Sequence, residues 1–183
     1  MITRLYFKGN SGKGTSNDYC PTGYVVRKGA KLTDWRNGQG VQVQYRLANL
    51  YLDYIEALNE YDPANSDILK YLNMIRDRAG IPGYGPGGLD IPAGKDAMRA
   101  AIWRERQVEL CFENVRYFDT RRWKIAEQTD NGPAMGLNID GTLPDFYNQK
   151  PFETRVFNKR HYFFPIPEQD INNNPQLVQN TGW

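Results

Sequence analysis

Three glutamates at four-residue spacing, Glu105, Glu109 and Glu113, form the densest group of potentially reactive side chains in this 183-residue sequence. On a helix the i, i+4, i+8 pattern puts all three carboxylates on one face. Facing carboxylates can bind two metal ions or do acid–base work. The di-metal version wants Glu-x-x-His ligands, and the single histidine, His161, lies far along the chain. The cations nearby support a different reading. Arg104, Arg106, Arg116, Arg121 and Arg122 can pair with these glutamates and with Asp119. A guanidinium grips a carboxylate through two parallel hydrogen bonds, which would fix how two helices cross. The spacing therefore predicts a structural ion network over Glu105, Glu109, Glu113, Arg116, Asp119, Arg121 and Arg122, with no catalytic residue. Arg121 or Arg122, and Asp119, are expected to be largely buried against carboxylates of the third helix.

Other chemistries lack their residues. His161 has no Ser or Cys in a recognisable nucleophile setting, and Gly-x-Ser-x-Gly is absent. Asn10-Ser11-Gly12-Lys13-Gly14-Thr15 lacks the full phosphate-loop order and precedes no helix. No cysteine pairs have zinc spacing, so neither metal nor cofactor is expected. Cys20 and Cys111 could pair, but nothing demands it, and Cys111 reads as a small core residue.

Aromatic rings remain. Tyr and Trp stack on the C–H faces of sugars while their edges keep polar handles. Outside the helical stripes stand Tyr6, Tyr19, Tyr24, Trp35, Tyr84 and Tyr147, each of which could equally anchor a loop. Trp35, in Asp34-Trp35-Arg36-Asn37-Gly38, sits among groups that can bond hydroxyls. Trp35, Tyr24 and Tyr84 are the ligand-binding candidates, and they fall on separate loops.

These residues need elements to position them. Residues 42–60 read as a helix with Leu47, Leu50, Tyr51, Tyr54 and Leu58 on one face, ended by Asp62-Pro63. A second helix over 65–79 buries Ile68, Leu72, Ile75 and Ala79 and stops at Gly80. After a Gly/Pro loop, a third over 95–113 turns Met98, Ala101, Ile102, Val108, Cys111 and Phe112 inward. Asn114 tolerates a left-handed break. A fourth over 116–128 buries Phe118 and Trp123. Val156-Phe157 and Tyr162-Phe163-Phe164 are expected to pair as a small hairpin. One helical turn follows Pro165-Ile166-Pro167, and Trp183 should dock on the body. Leu5-Tyr6-Phe7 and Tyr24-Val25-Val26 read as short strands.

The two helix pairs suggest stacked helical hairpins, although their offset of about 53 residues exceeds the 34 of regular tetratricopeptide repeats. Residues 1–40 are Gly-rich and aperiodic, an irregular segment expected to dock on the helices. Residues 41–183 are expected to form the helical region, within a single domain overall. With 23 basic against 21 acidic residues the chain lacks the basic excess of a nucleic-acid binder. Its aromatic content of 13% speaks against intrinsic disorder. No apolar run approaches the length of a membrane span, and the N-terminus is too short and polar for a signal peptide.

Four segments together resemble one family. Tyr45-Arg46-Leu47-Ala48-Asn49…Tyr54-Ile55-Glu56-Ala57 is similar to the R-L-A-E…Y-x-E-A helix of SusD/RagB-like proteins. Asn73-Met74-Ile75-Arg76-Asp77-Arg78-Ala79-Gly80 resembles their N-x-I-R-x-R-A-G helix end. Arg104-Glu105-Arg106…Glu109-Leu110, Phe112-Glu113, Arg116…Asp119 and Arg121-Arg122-Trp123 resemble the R-E-R-x-x-E-L…F-E…R-x-x-D-x-R-R-W signature. Phe164-Pro165-Ile166-Pro167, Ile171-Asn172-Asn173-Asn174-Pro175, Gln179-Asn180 and Gly182-Trp183 resemble the closing motif. Asn49 replaces the usual Glu, Asn114-Val115 a common Gly-His, and Thr181 a common Pro. The family is several hundred residues long, so the resemblance covers only its C-terminal third or so.

The resemblance implies a mainly α fold: tetratricopeptide-like hairpins of a SusD-like superhelix, with long loops and a small C-terminal hairpin. It implies a glycan-binding lipoprotein on the extracellular face of a bacterial outer membrane. Such a protein would capture an oligosaccharide or polysaccharide for a SusC-like TonB-dependent transporter and break no bond. In that reading the signal and lipid-attachment Cys of the full-length protein are expected to lie outside this chain, which would act mainly as scaffold. Two other classes stay open: a helical-repeat module that binds a protein, and an enzyme using Glu105, Glu109 or Glu113.

Overall fold

A computed structural model describes residues 20–26, 28 and 43–183. The expected strand Leu5-Tyr6-Phe7 lies outside them. The described residues are mainly helical, with one two-stranded ribbon. They divide into two compact units. One runs over Lys28–Phe118; the other joins Asp119–Trp183 to residues 20–26.

In the first unit α1 (Leu47–Tyr61), α2 (Asp67–Arg78) and α3 (Gly94–Glu109) pack together. Their core is Ala48, Leu52, Ile55, Ile68, Leu72, Ile75, Met98, Ile102 and, just past α3, Leu110. Full burial of one such aliphatic side chain contributes roughly 1.5–3 kcal/mol. α2 buries three of its four expected stripe residues, Ile68, Leu72 and Ile75; Ala79 is exposed. Its end is a Schellman turn. Gly80, at φ 71°, lets its own N–H reach Asp77 O (2.9 Å) and the Ile81 N–H reach Arg76 O (3.0 Å).

α1 departs from expectation in two ways. It begins at Leu47 rather than near residue 42, because Arg46 is extended and its N–H is taken by the side-chain oxygen of Asn49 (3.1 Å). Its buried face is Ala48, Leu52, Ile55 and Asn59, while Leu47, Leu50 and Tyr54 are exposed. Apolar residues surround this helix, so periodicity offered two stripes. Packing selected the compact aliphatic one and left the outer tyrosines free to bond carboxylates. Tyr45 donates to Asp53 (2.8 Å) and Tyr54 to Asp67 (3.3 Å).

α3 stops at Glu109, four residues early. Phe112 and Asn114 both adopt left-handed backbone, so the break expected at Asn114 starts sooner. Val108 and Phe112, expected inside, are 59% and 71% exposed; the positions facing the core hold Glu105 and Arg106 instead. Lys124, at φ 56°, splits the expected fourth helix into α4 (Arg116–Arg122) and α5 (Ala126–Thr129). Phe118, expected buried, is exposed.

In the second unit the ribbon is β1 (Gly132–Leu137) against β2 (Gln149–Arg155), antiparallel, from Gly132↔Arg155 to Leu137↔Gln149. It does not involve 156–164. Each strand has a free edge, so Pro133 and Pro151 are tolerated. Thr22 accepts the Leu137 N–H (2.9 Å), which ties segment 20–26 to the end of β1. Tyr24-Val25-Val26 forms no strand. The expected hairpin fails because its backbone is spoken for. The Asn131 amide accepts the Phe157 N–H (3.2 Å) and donates to Phe157 O (3.3 Å). Residues 159–162 make a 3₁₀ turn, with His161 Nδ1 accepting the Asn158 N–H (2.9 Å). Phe157 is thereby buried, with the His161 and Tyr162 rings edge-on to its own at 5.5 and 5.0 Å. Pro167 leads into α6 (Glu168–Asn173), the expected turn.

Candidate functional site

The glutamate face is built where α3 meets α1 and α2. Glu105, 6% exposed, accepts from Arg76 Nη1 (2.5 Å). Glu109 accepts from Arg46 Nη1 (2.6 Å), and both of its oxygens accept from Arg78 Nη2 (2.8 Å each). Glu113 takes a two-pronged grip from Arg46, through Nε and Nη2 at 2.8 Å each, and an ion pair with Lys28. The glutamates' partners are thus Arg46, Arg76, Arg78 and Lys28, not the arginines of α4 as expected. The signal was present: Arg46, Arg76 and Arg78 stand in the two helix motifs already quoted.

Arg46 and Lys28 do a second job. Arg46 Nη2 and Lys28 Nζ donate to Glu109 O, at 2.7 Å each, and Lys28 also reaches Cys111 O (2.9 Å). These carbonyls close α3, where no further turn can satisfy them and cations are favoured. The Arg46 fork, then Lys28, hold the Glu113 carboxyl below the ordinary glutamate range. Glu113, then Glu109, in turn raise Arg46. Arg106, also buried, pairs with Asp53 on α1. Each of the three carboxylates is engaged by a guanidinium, so the seam ties α3 to α2 and to the start of α1.

Of the remaining network residues, Asp119 is buried and takes Arg122 at 2.9 Å, three residues on along α4. Arg121 lies 3.6 Å from Asp130 and covers the Phe157 ring (5.1 Å). Arg116 opens α4, half-buried. Among the described residues no group of three or more His, Cys, Asp or Glu is placed to hold a metal ion. Cys20 and Cys111 are free thiols.

The ligand candidates have three different fates. Trp35 lies outside the described residues. Tyr24 is 50% exposed beside the Cys20–Gly23 turn. Tyr84 sits in a constructed loop after α2. The Asn73 amide accepts its N–H (2.7 Å) and donates to its carbonyl (2.9 Å). The Arg76 guanidinium lies over its ring at 5.0 Å. Gly85 bonds Leu89 O, and Leu89 N–H returns to Gly83 O, at 2.8 Å each. A β-carbon on Gly88 would fall 2.1 Å from Gly83 O, so the turn requires glycine there. The loop borders a cavity of about 260 Å³ with Asn73, Asp77 and Tyr84 in its wall. Ring, amide and carboxylate together suit a hydroxyl-rich ligand. Tyr84 is thereby a loop anchor with one side still facing a cavity.

The closing segment uses the same device. Gln179 accepts the Ile166 N–H (2.9 Å) and donates to Ile166 O (3.0 Å). Asn180 donates to Phe164 O (2.7 Å). Trp183 Nε1 donates to Arg160 O and Phe163 O (3.0 and 3.1 Å), and Arg160 covers its ring at 4.8 Å. Trp183 therefore docks as expected, with 44% of its surface still exposed.

Helical hairpins stapled by a carboxylate–guanidinium seam, with a clamped aromatic loop, define the class of scaffold. The SusD family model matches residues 3–183, and the chain belongs to that family. It is 28% identical over 176 residues to SusD-like protein P2 of Formosa agariphila, covering 94% of this chain and 27% of that protein. A crystal structure of a SusD-like protein from Bacteroides fragilis superposes with a TM-score of 0.64 and 29% identity. That match covers 78% of this chain and 26% of the other. A SusD homolog from Bacteroides thetaiotaomicron gives a TM-score of 0.54 and 29% identity, over 74% and 26%. The chain thus spans about a quarter of the length of these relatives.

Proposed function

We propose that the protein is a glycan-binding component of a bacterial outer-membrane nutrient-uptake system. In this reading it is lipid-anchored on the extracellular face and delivers oligosaccharide to a TonB-dependent transporter. The observation that carries the reading is the family match over residues 3–183. The role is capture without catalysis. In keeping with it, Glu105, Glu109 and Glu113 are all engaged by arginines, which leaves none of them as a ready acid or base. The helical unit serves as scaffold, and Trp35, Tyr24 and Tyr84 are the rings to test for sugar contact. One stacked ring supplies only about 0.5–1.5 kcal/mol beyond burial. Micromolar affinity needs about 8 kcal/mol. The chain alone is therefore expected to bind glycans weakly.

Titration calorimetry against a panel of neutral and acidic oligosaccharides tests this. Weak binding reduced by Tyr84→Ala or Trp35→Ala supports the reading. Tight binding abolished by Trp35→Ala would move the main site into this chain. A second reading, a helical module that binds a protein, is favoured by the exposed Leu47, Leu50 and Tyr54 on α1. Failure of every oligosaccharide to bind, with a protein ligand captured through that face, would replace the first reading by the second.

A further inference from the structure

We propose that the cavity beneath Phe163 is a subsite for a singly charged acidic sugar, one carrying a carboxylate or a sulfate ester. The proposal rests on the glycan-binding reading and adds to it the charge of the ligand. The cavity, of about 490 Å³, lies wholly within the second unit. That size falls in the range of small-molecule sites. Tyr162 and Phe163 supply aromatic wall, and Arg121, Lys124, Glu127 and Lys159 supply charge. None of these was among the rings singled out from the sequence.

The charge balance selects the ligand. Lys124 and Lys159 form no ion pair among the described residues, and neither does Glu127. Arg121 already has Asp130 close by, at 3.6 Å. Among the described residues one positive charge is left in excess, which matches one anionic group and disfavours a phosphate of higher charge. The rest of the wall asks for a body with both C–H faces and hydroxyls. The Phe163 ring is 64% exposed and can stack on a pyranose face. The Glu127 carboxylate and the Thr181 hydroxyl can bond sugar hydroxyls. The Tyr162 hydroxyl is buried and takes no partner among the described residues. A buried donor in that state costs free energy. A hydrocarbon chain would leave these polar groups unanswered.

The test is an NMR titration of the ¹⁵N-labelled chain. The probes are digalacturonate monomethyl ester (one free carboxylate), galactose 6-sulfate, neutral galactobiose and sodium sulfate. Both acidic sugars should shift the amides of Lys124, Glu127, Tyr162, Phe163 and Thr181. The neutral sugar should bind at least tenfold more weakly. Lys124→Gln with Lys159→Gln changes two exposed side chains and should weaken acidic binding at least tenfold. Phe163→Ala should weaken it about threefold or more. Raising the salt concentration should weaken it as well. Equal affinity for galactobiose, or sulfate ion binding as tightly as the acidic sugars, would overturn the proposal. Oligosaccharide binding that maps elsewhere and ignores the lysine variants would also overturn it, while the glycan reading stands. That reading falls only if no oligosaccharide binds at any site.

Discussion

Glu105→Ala should be the most damaging single change in the charged seam, and the structure explains why Glu109→Ala should cost less. Glu105 and its partner Arg76 are 6% and 13% exposed. Removing one member of a buried pair costs about 3–5 kcal/mol, because the other charge is stranded. Arg76 would keep its bond to Pro82 O (2.8 Å) and its stack on Tyr84, which points to the lower end, about 3 kcal/mol. Glu109 is equally buried, but its partners are better placed to lose it. Arg46 retains both bonds to Glu113, and Arg78 is 63% exposed to water. An exposed pair is worth about 0.2–1 kcal/mol, so Glu109→Ala should cost about 1–2 kcal/mol. For a chain of this size each kcal/mol moves Tm by about 2–4 °C. Thermal melts followed by circular dichroism should show a fall of about 6–12 °C for Glu105→Ala and about a third to two-thirds of that for Glu109→Ala. Arg76→Met combined with Glu105→Met removes both charges and should recover most of the loss. The reasoning fails if the two alanine variants cost the same, or if the double methionine variant is no more stable than Glu105→Ala.

Stability should fall with acid through Glu113. Its folded carboxyl is held below the ordinary value of 4.5, so its contribution is complete above that pH and is lost as pH falls through the lowered value. Glu113→Gln should flatten that part of the Tm–pH curve. Asn49→Ala removes the acceptor for the Arg46 N–H at the start of α1 and should cost about 1 kcal/mol in urea denaturation. Gln179→Met breaks both bonds to Ile166 and should cost about 1–3 kcal/mol, with faster hydrogen exchange at the Ile166 amide. Gly88→Ala cannot keep the Gly83–Leu89 turn, so the amides of Gly85 and Leu89 should lose exchange protection.

The helical class, the limits of α2 and the turn at Gly80 were legible because they depend on residues within one or two turns of each other. Ile68, Leu72 and Ile75 repeat at helical spacing, and a glycine follows where the backbone must turn left-handed. The same holds for the break near Asn114 and the helical turn after Pro167. The charged face of α3 was equally visible, but not its partners. Arg46 and Arg76 reach the glutamates across 67 and 29 residues, and any nearby arginine satisfied the pattern equally well. α1 offered two apolar stripes, and only the shape of α2 and α3 selected Leu52 and Ile55. The ribbon was hidden because Gly132-Pro133-Ala134 carries little strand preference, and its stability comes from contacts with Thr22 and β2. Phe157 looked like a strand residue until Asn131, 26 positions away, occupied both its backbone groups. Local preference acts through neighbours in the chain, whereas the choice among equally suitable partners depends on which of them the packed helices bring within hydrogen-bonding distance.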